Sequence, residues 1–114
     1  MGKIYCIDLD DTICFPNHQF KDSTKKYLEA KPNEPVINRI NKLYENGNKI
    51  IILTARRMLT HNGNLENIIN DVGEITKEWL SNNNVKYDEL HFGKPYADYY
   101  VDDKAVELEN FLIE

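Results

Sequence analysis

The chain has 114 residues, 41% of them apolar and 29% charged, with a formal net charge of −5. A length of this order is one domain with no room for a separate cap domain, and no apolar run approaches a membrane span or the core of a secretory leader. The acidic balance argues against a phosphate-backbone partner, so the composition predicts a cytoplasmic protein that binds neither membrane nor nucleic acid.

In chain order, Ile4 to Ile7 reads as a buried strand that delivers Asp8, Asp10, Asp11 and Thr12 to its C-terminal end. Asp and Thr there also suit a turn or a helix cap. Cys6 and Cys14 read as free thiols of a reducing compartment, and His18, His61 and His91 lack the spacing of a zinc site. Ile13 to Phe20 reads as a loop or flap over the acids, in which Phe15 and Phe20 either cover a ligand or pin the loop to the core. Lys21 to Pro35 is polar and ends with Asn33 as a helix cap.

Val36, Ile37, Ile40, Leu43 and Tyr44 follow the helical period, and Asn46-Gly47-Asn48 supplies the stop. Lys49 to Leu53 is a second strand, running into Thr54-Ala55-Arg56. After a loop over Met58 to Asn67, the apolar positions Ile68, Ile69, Val72, Ile75, Trp79 and Leu80 predict a helix despite Gly73. Short strands are predicted at Leu90 to Phe92 and at Tyr99 to Val101. The stretch from Ala105 to Ile113 suits a closing helix, or a last strand with a short helix before it.

Three strand-like runs thus end in chemistry-bearing residues: Asp8 and Asp10, Thr54, and Asp102-Asp103. In open α/β sheets ligands bind beyond the carboxyl ends of the strands, so these groups converge on one crevice. The motifs resemble those of the haloacid dehalogenase superfamily. Asp8-Leu9-Asp10-Asp11-Thr12 looks like its first motif, Thr54 its second, Lys94 in Gly93-Lys94-Pro95 its third and Asp102-Asp103 its fourth. Asp11 departs from the pattern, standing where many relatives carry Gly. A narrower similarity, carried by Asp11 to Pro16 and by Thr54-Ala55-Arg56-Arg57, is to bacterial capsule-biosynthesis phosphatases.

The resemblance implies a single α/β domain over residues 1–114, a Rossmann-like three-layer sandwich whose central parallel sheet has the first strand in the middle, of the capless class. It implies that Asp8 attacks phosphorus to form an aspartyl-phosphate and that Asp10 acts as general acid and then base. Lys94, the Thr54 hydroxyl and the backbone amide of Ala55 bind the phosphoryl oxygens. Mg²⁺ is expected on the carboxylates of Asp8 and Asp102 and the backbone carbonyl of Asp10. Asp103 either orients Lys94 or a metal-bound water, or caps a helix; Arg56 and Arg57 either touch the substrate or pair with surface acids.

The expected reaction is hydrolysis of a small phosphorylated metabolite, a sugar or polyol phosphate of surface-polysaccharide synthesis. A 5′- or 3′-nucleotidase is the alternative within the superfamily, and a phospho-acceptor receiver module the alternative outside it. Because an open site benefits from cover that excludes water, a homo-oligomer is expected.

Overall fold

The computed structural model describes residues 2–113. Strand β1 (Ile4–Asp8) is followed by a tight turn in which the amides of Ile13 and Cys14 both bond the carbonyl of Leu9. Asp11 takes φ +64° in that turn. This left-handed conformation favours glycine and, among other residues, a short polar side chain such as that of Asp11.

The flap contains the two-residue strand β2 (Cys14–Phe15), paired antiparallel with β3 (Lys31–Pro32). Between them the polar tract from Lys21, to which the sequence assigned no element, forms helix α1 (Ser23–Leu28). Its start is set by Asp22, whose carboxylate accepts from the Thr24 amide. Asn33 precedes helix α2 (Glu34–Glu45), but its side chain makes no cap bond. It donates instead to the carbonyl of Thr12 at 3.0 Å, while its amide bonds Ile13, tying the helix start to the acidic turn.

Val36, Ile37, Ile40 and Leu43 form the buried stripe of α2, and Gly47 at φ +92° ends it as predicted. Strand β4 (Lys49–Thr54) then pairs parallel with β1, Asp8 opposite Leu53. Helix α3 (Leu65–Asn82) begins at Asn64, whose side chain accepts from the Asn67 amide. It runs unbroken through Gly73 and leads to β5 (Glu89–Phe92), parallel to β4 with Phe92 opposite Thr54. The register therefore brings the carboxyl ends of all three strands level.

Ile50 and Ile52 of β4 are wholly buried beside Val36, Ile40, Trp79 and Leu80, each contributing about 2 kcal/mol relative to exposure. The Trp79 indole donates to the carbonyl of Ala30 at 2.9 Å, anchoring the segment before α2 in this core. A smaller cluster of Tyr27, Ile68 and Val72 joins α1 to α3.

The protein is thus a single α/β unit around a parallel sheet, with loops and helices where a cap would be inserted. Two expectations are corrected. The sheet order is β1-β4-β5, so β1 lies at an edge and not in the middle. Tyr99 to Val101 forms no strand: only six residues separate Phe92 from Tyr99, whereas a crossover between parallel strands needs about a dozen. The closing element is the helical alternative, α4 (Leu108–Ile113), whose Phe111 ring meets Tyr5 edge-on.

Candidate active site

Level strand ends and the turn after β1 create a cleft of about 480 Å³, lined by Asp8, Asp10, Thr54, Ala55, Arg56, Arg57 and Lys94, among others. Asp8, the last residue of β1, has its two oxygens divided between donors. The Lys94 ammonium lies 3.2 Å from Oδ1, and the Thr12 hydroxyl donates to Oδ2 at 3.4 Å. Burial pushes the Asp8 carboxyl above its ordinary value, opposed by the Lys94 charge and hydrogen bond and by Thr12, and reinforced by the negative charge of Asp10. Lys94 is held by its own backbone, its amide bonding the carbonyl of Thr54 at 3.1 Å.

Thr54 is buried at the end of β4. Its hydroxyl oxygen accepts from the Arg56 amide at 3.0 Å, which leaves the O–H free to donate to another acceptor.

Arg56 is the largest correction within the site. Its side chain is buried, and instead of reaching for substrate or a surface acid it grips both oxygens of Asp10. Nη1 donates to the Thr76 hydroxyl at 2.9 Å, and the guanidinium carbon lies 4.1 Å from the centre of the Tyr27 ring. Cys14 completes this pocket, its thiol 3.4 Å from Asp10 Oδ1; burial, first, and the Asp10 charge raise it so far that it stays a thiol at neutral pH. Arg57, at φ +59°, bonds the Ser23 hydroxyl at 2.7 Å and lies near Asp71.

Asp102 and Asp103 are not brought to the cleft. Both are exposed, and Asp102 accepts from the Lys104 amide in a local turn. The physical reason is the unformed strand that would have carried them. Asp8 is the hard oxygen donor that Mg²⁺ prefers, but among the described residues no three acidic, imidazole or thiol side chains come together to hold a metal. The expected magnesium set is therefore incomplete within one chain.

Sequence reasoning missed the cleft's outer wall. Phe15 and Phe20 do not line it; Lys26, Tyr27, Tyr96 and Tyr100 do. Lys94 Nζ lies 4.1 Å from the Tyr100 ring centre, and the Tyr100 hydroxyl donates to the carbonyl of Pro95. A tyrosine so close after Lys94 was the available signal. Lys26, Arg56, Arg57 and Lys94 set four cations against Asp8, Asp10 and Asp11, so the cleft is locally basic in an acidic chain.

Paired aspartates at the end of the first strand, a threonine at the end of the next and a lysine after the third define a phosphatase of haloacid dehalogenase type. More particularly, the family model for polynucleotide kinase 3 phosphatase matches residues 3–89, and the chain belongs to that family. A crystal structure of a Vibrio cholerae protein is 33% identical with TM-score 0.85, the match covering all of this chain and 89% of that one. The Pnkp1/Rnl/Hen1 complex contains a chain 23% identical over 90% of this one and 31% of that one, with TM-score 0.62. A magnesium- and phosphate-bound D,D-heptose 1,7-bisphosphate phosphatase from B. bronchiseptica shares the fold at TM-score 0.52 and 15% identity, over 92% of this chain and 54% of that one. No curated protein matches.

These findings overturn the exclusion of nucleic acid, because the family and an RNA repair complex among its neighbours are nucleic-acid related. Net charge misled here because it averages over the whole surface, whereas an anion meets only the cleft.

Proposed function

We propose that the protein is a phosphomonoesterase that removes the terminal phosphate from a 3′-phosphorylated nucleotide or oligonucleotide through an aspartyl-phosphate. The observation that carries this reading is Asp8, held at the strand end between Lys94 and Thr12 with Asp10 two residues on. An Asp8 oxygen attacks phosphorus in line, the P–O bond to the leaving oxygen breaks, and Asp10 in its protonated form, with one oxygen turned from Arg56 to carry the proton, gives it to that oxygen. Asp10 then takes a proton from the water that attacks the acyl phosphate, releasing inorganic phosphate and restoring Asp8. Lys94, the Thr54 hydroxyl and the Ala55 amide neutralise the phosphoryl oxygens.

Arg56 acts through Asp10, fixing its carboxylate by a two-point grip. Tyr96, exposed at the cleft's outer wall, offers a face for a base, with Lys26 and Arg57 for a further phosphate, which supports the nucleic-acid reading. Magnesium dependence belongs to this proposal, as does a cytoplasmic location. No helix among the described residues is long and apolar enough to cross a membrane.

The second reading is a sugar or polyol phosphate, with the narrower likeness to capsule-biosynthesis phosphatases; the D,D-heptose 1,7-bisphosphate phosphatase that shares the fold supports it. Phosphate release would be measured with and without Mg²⁺ from 3′-phosphorylated oligonucleotides, 3′- and 5′-mononucleotides, and sugar and polyol phosphates. Preference for 3′-phosphorylated ends supports the first reading, and turnover of sugar phosphates alone replaces it with the second. No release from any of them ends both.

A further inference from the structure

Two features that are unmatched within one chain match each other between two. Among the described residues β1 pairs only with β4, so its outer edge carries a row of backbone donors and acceptors with no strand beside it. Such an edge is a template for another strand. Elsewhere, Tyr99, Tyr100 and Val101 have strand-forming side chains yet lie in solvent, Val101 98% and Tyr99 87% exposed. Among the described residues, no backbone amide between Tyr96 and Lys104 bonds the body of the chain; those of Ala97 and Lys104 bond only local side chains. The residue that follows this run is Asp102, and among the described residues of one chain no three acidic, imidazole or thiol side chains gather to hold a cation.

A chain cannot match these features by itself. For Asp102 to arrive beside Asp8, the run must lie parallel to β1 and start near its amino end. From Phe92 it would have to cross past three strand positions, about 14 Å, and also return the length of a strand. Six connecting residues, the second of them tethered to Asp8 through its side chain, do not make that crossover.

We infer that two copies of the chain exchange residues 95–113. Tyr99–Val101 of each copy adds as a parallel strand to the outer edge of β1 in the other, and Asp102 joins the partner's Asp8 to complete a divalent-cation site. α4 then takes on the partner the seat it has here, where Phe111 meets Tyr5 and its carbonyl accepts from Arg39. Exchange gives up the contacts of Tyr100 with Lys94 and Pro95 and gains a ladder of strand hydrogen bonds, with two large apolar side chains leaving water. This is a closed swap, in which an identical element is traded between copies. The part concerning Asp102 rests on the phosphatase reading; the strand exchange does not.

Sedimentation velocity on the full chain separates the two. The wild type is expected to be a dimer and Val101→Asp a monomer that keeps its fold, since Val101 is exposed within one chain; a monomeric wild type overturns the exchange, as does a Val101→Asp dimer. Asp8→Asn and Asp102→Asn chains are each expected to be inactive, and coexpression to restore about a quarter of wild-type turnover per chain, since only mixed dimers hold one complete site. Hybrid dimers without restored turnover, or a fully active Asp102→Asn chain, overturn the role of Asp102. A wild-type dimer that releases no phosphate from any ester overturns the phosphatase reading and leaves the exchange standing.

Discussion

The carboxylate of Asp10 is gripped on both oxygens by the guanidinium of Arg56, with Nε 3.0 Å from each and Nη2 2.8 Å from Oδ1. A planar two-point grip of this kind needs arginine, because lysine offers a single point charge. Arg56→Lys should therefore lower turnover about 100-fold on alkyl phosphates, the lower end of what acid–base catalysis contributes. On an aryl ester, whose leaving oxygen needs no proton, most of the loss should disappear. Steady-state rates on the two ester types check this; equal losses would mean that Arg56 does not act through Asp10. Arg56→Ala, which strands a carboxylate and the Thr76 hydroxyl, should also cost about 3 kcal/mol in denaturant unfolding.

Asp8→Asn should abolish phosphate release, by at least about 10⁴-fold. It should also raise the midpoint of thermal unfolding at neutral pH. Burial holds the Asp8 carboxyl above its ordinary value, so the folded state binds the proton more tightly. Stability then falls as pH rises from the unfolded value of about 4 through the higher folded one, and the amide removes that penalty. Melting curves across pH 3 to about 8 measure both arms; retained turnover would reject Asp8 as nucleophile.

Asp71 shows the opposite sign. Burial pushes its carboxyl up, but the bonds from His61 and Ser23 and the charges of Arg57 and His61 outweigh this and hold it below the usual range. Its stabilisation is present above the unfolded value of about 4 and is lost as pH falls through the lowered folded one. Asp71→Asn should cost about 1 kcal/mol at neutral pH, a modest figure for a partly exposed group, and nothing at the lowest pH. Since Asp71 sits beside Arg57, the same variant should raise KM more than it lowers kcat.

Trp79→Phe keeps most of the buried ring but removes the donor to Ala30, leaving a buried carbonyl without its partner. A loss of about 2 kcal/mol is expected by chemical denaturation. Because Ala30 leads into β3 and the start of α2, activity should also fall at temperatures well below the unfolding midpoint. An unchanged temperature profile of turnover would limit the role of Trp79 to the core.

What was legible in the sequence was local. The apolar period of α2 and the run into Thr54 gave their elements directly, and Asp8, Thr54 and Lys94 all line the cleft beyond the strand ends. The partners of long side chains were not legible. Whether Arg56 faces substrate or Asp10 depends on Thr76 and Tyr27, which lie 20 and 29 residues away and carry no motif. The strand expected at Tyr99 to Val101 failed for a different reason: residue preference describes what a segment can become, but a neighbour within reach decides whether it does. Net charge failed because it is a sum, and binding is local.

The Lys94–Asp8 contact spans 86 positions of the chain. During synthesis the ribosome makes the Asp8 carboxylate early and its counter-charge late, separated by roughly 4–17 s at common elongation speeds. A nascent chain therefore carries Asp8 without the cation that faces it in the fold, and phosphatase activity should appear only once translation has passed Lys94.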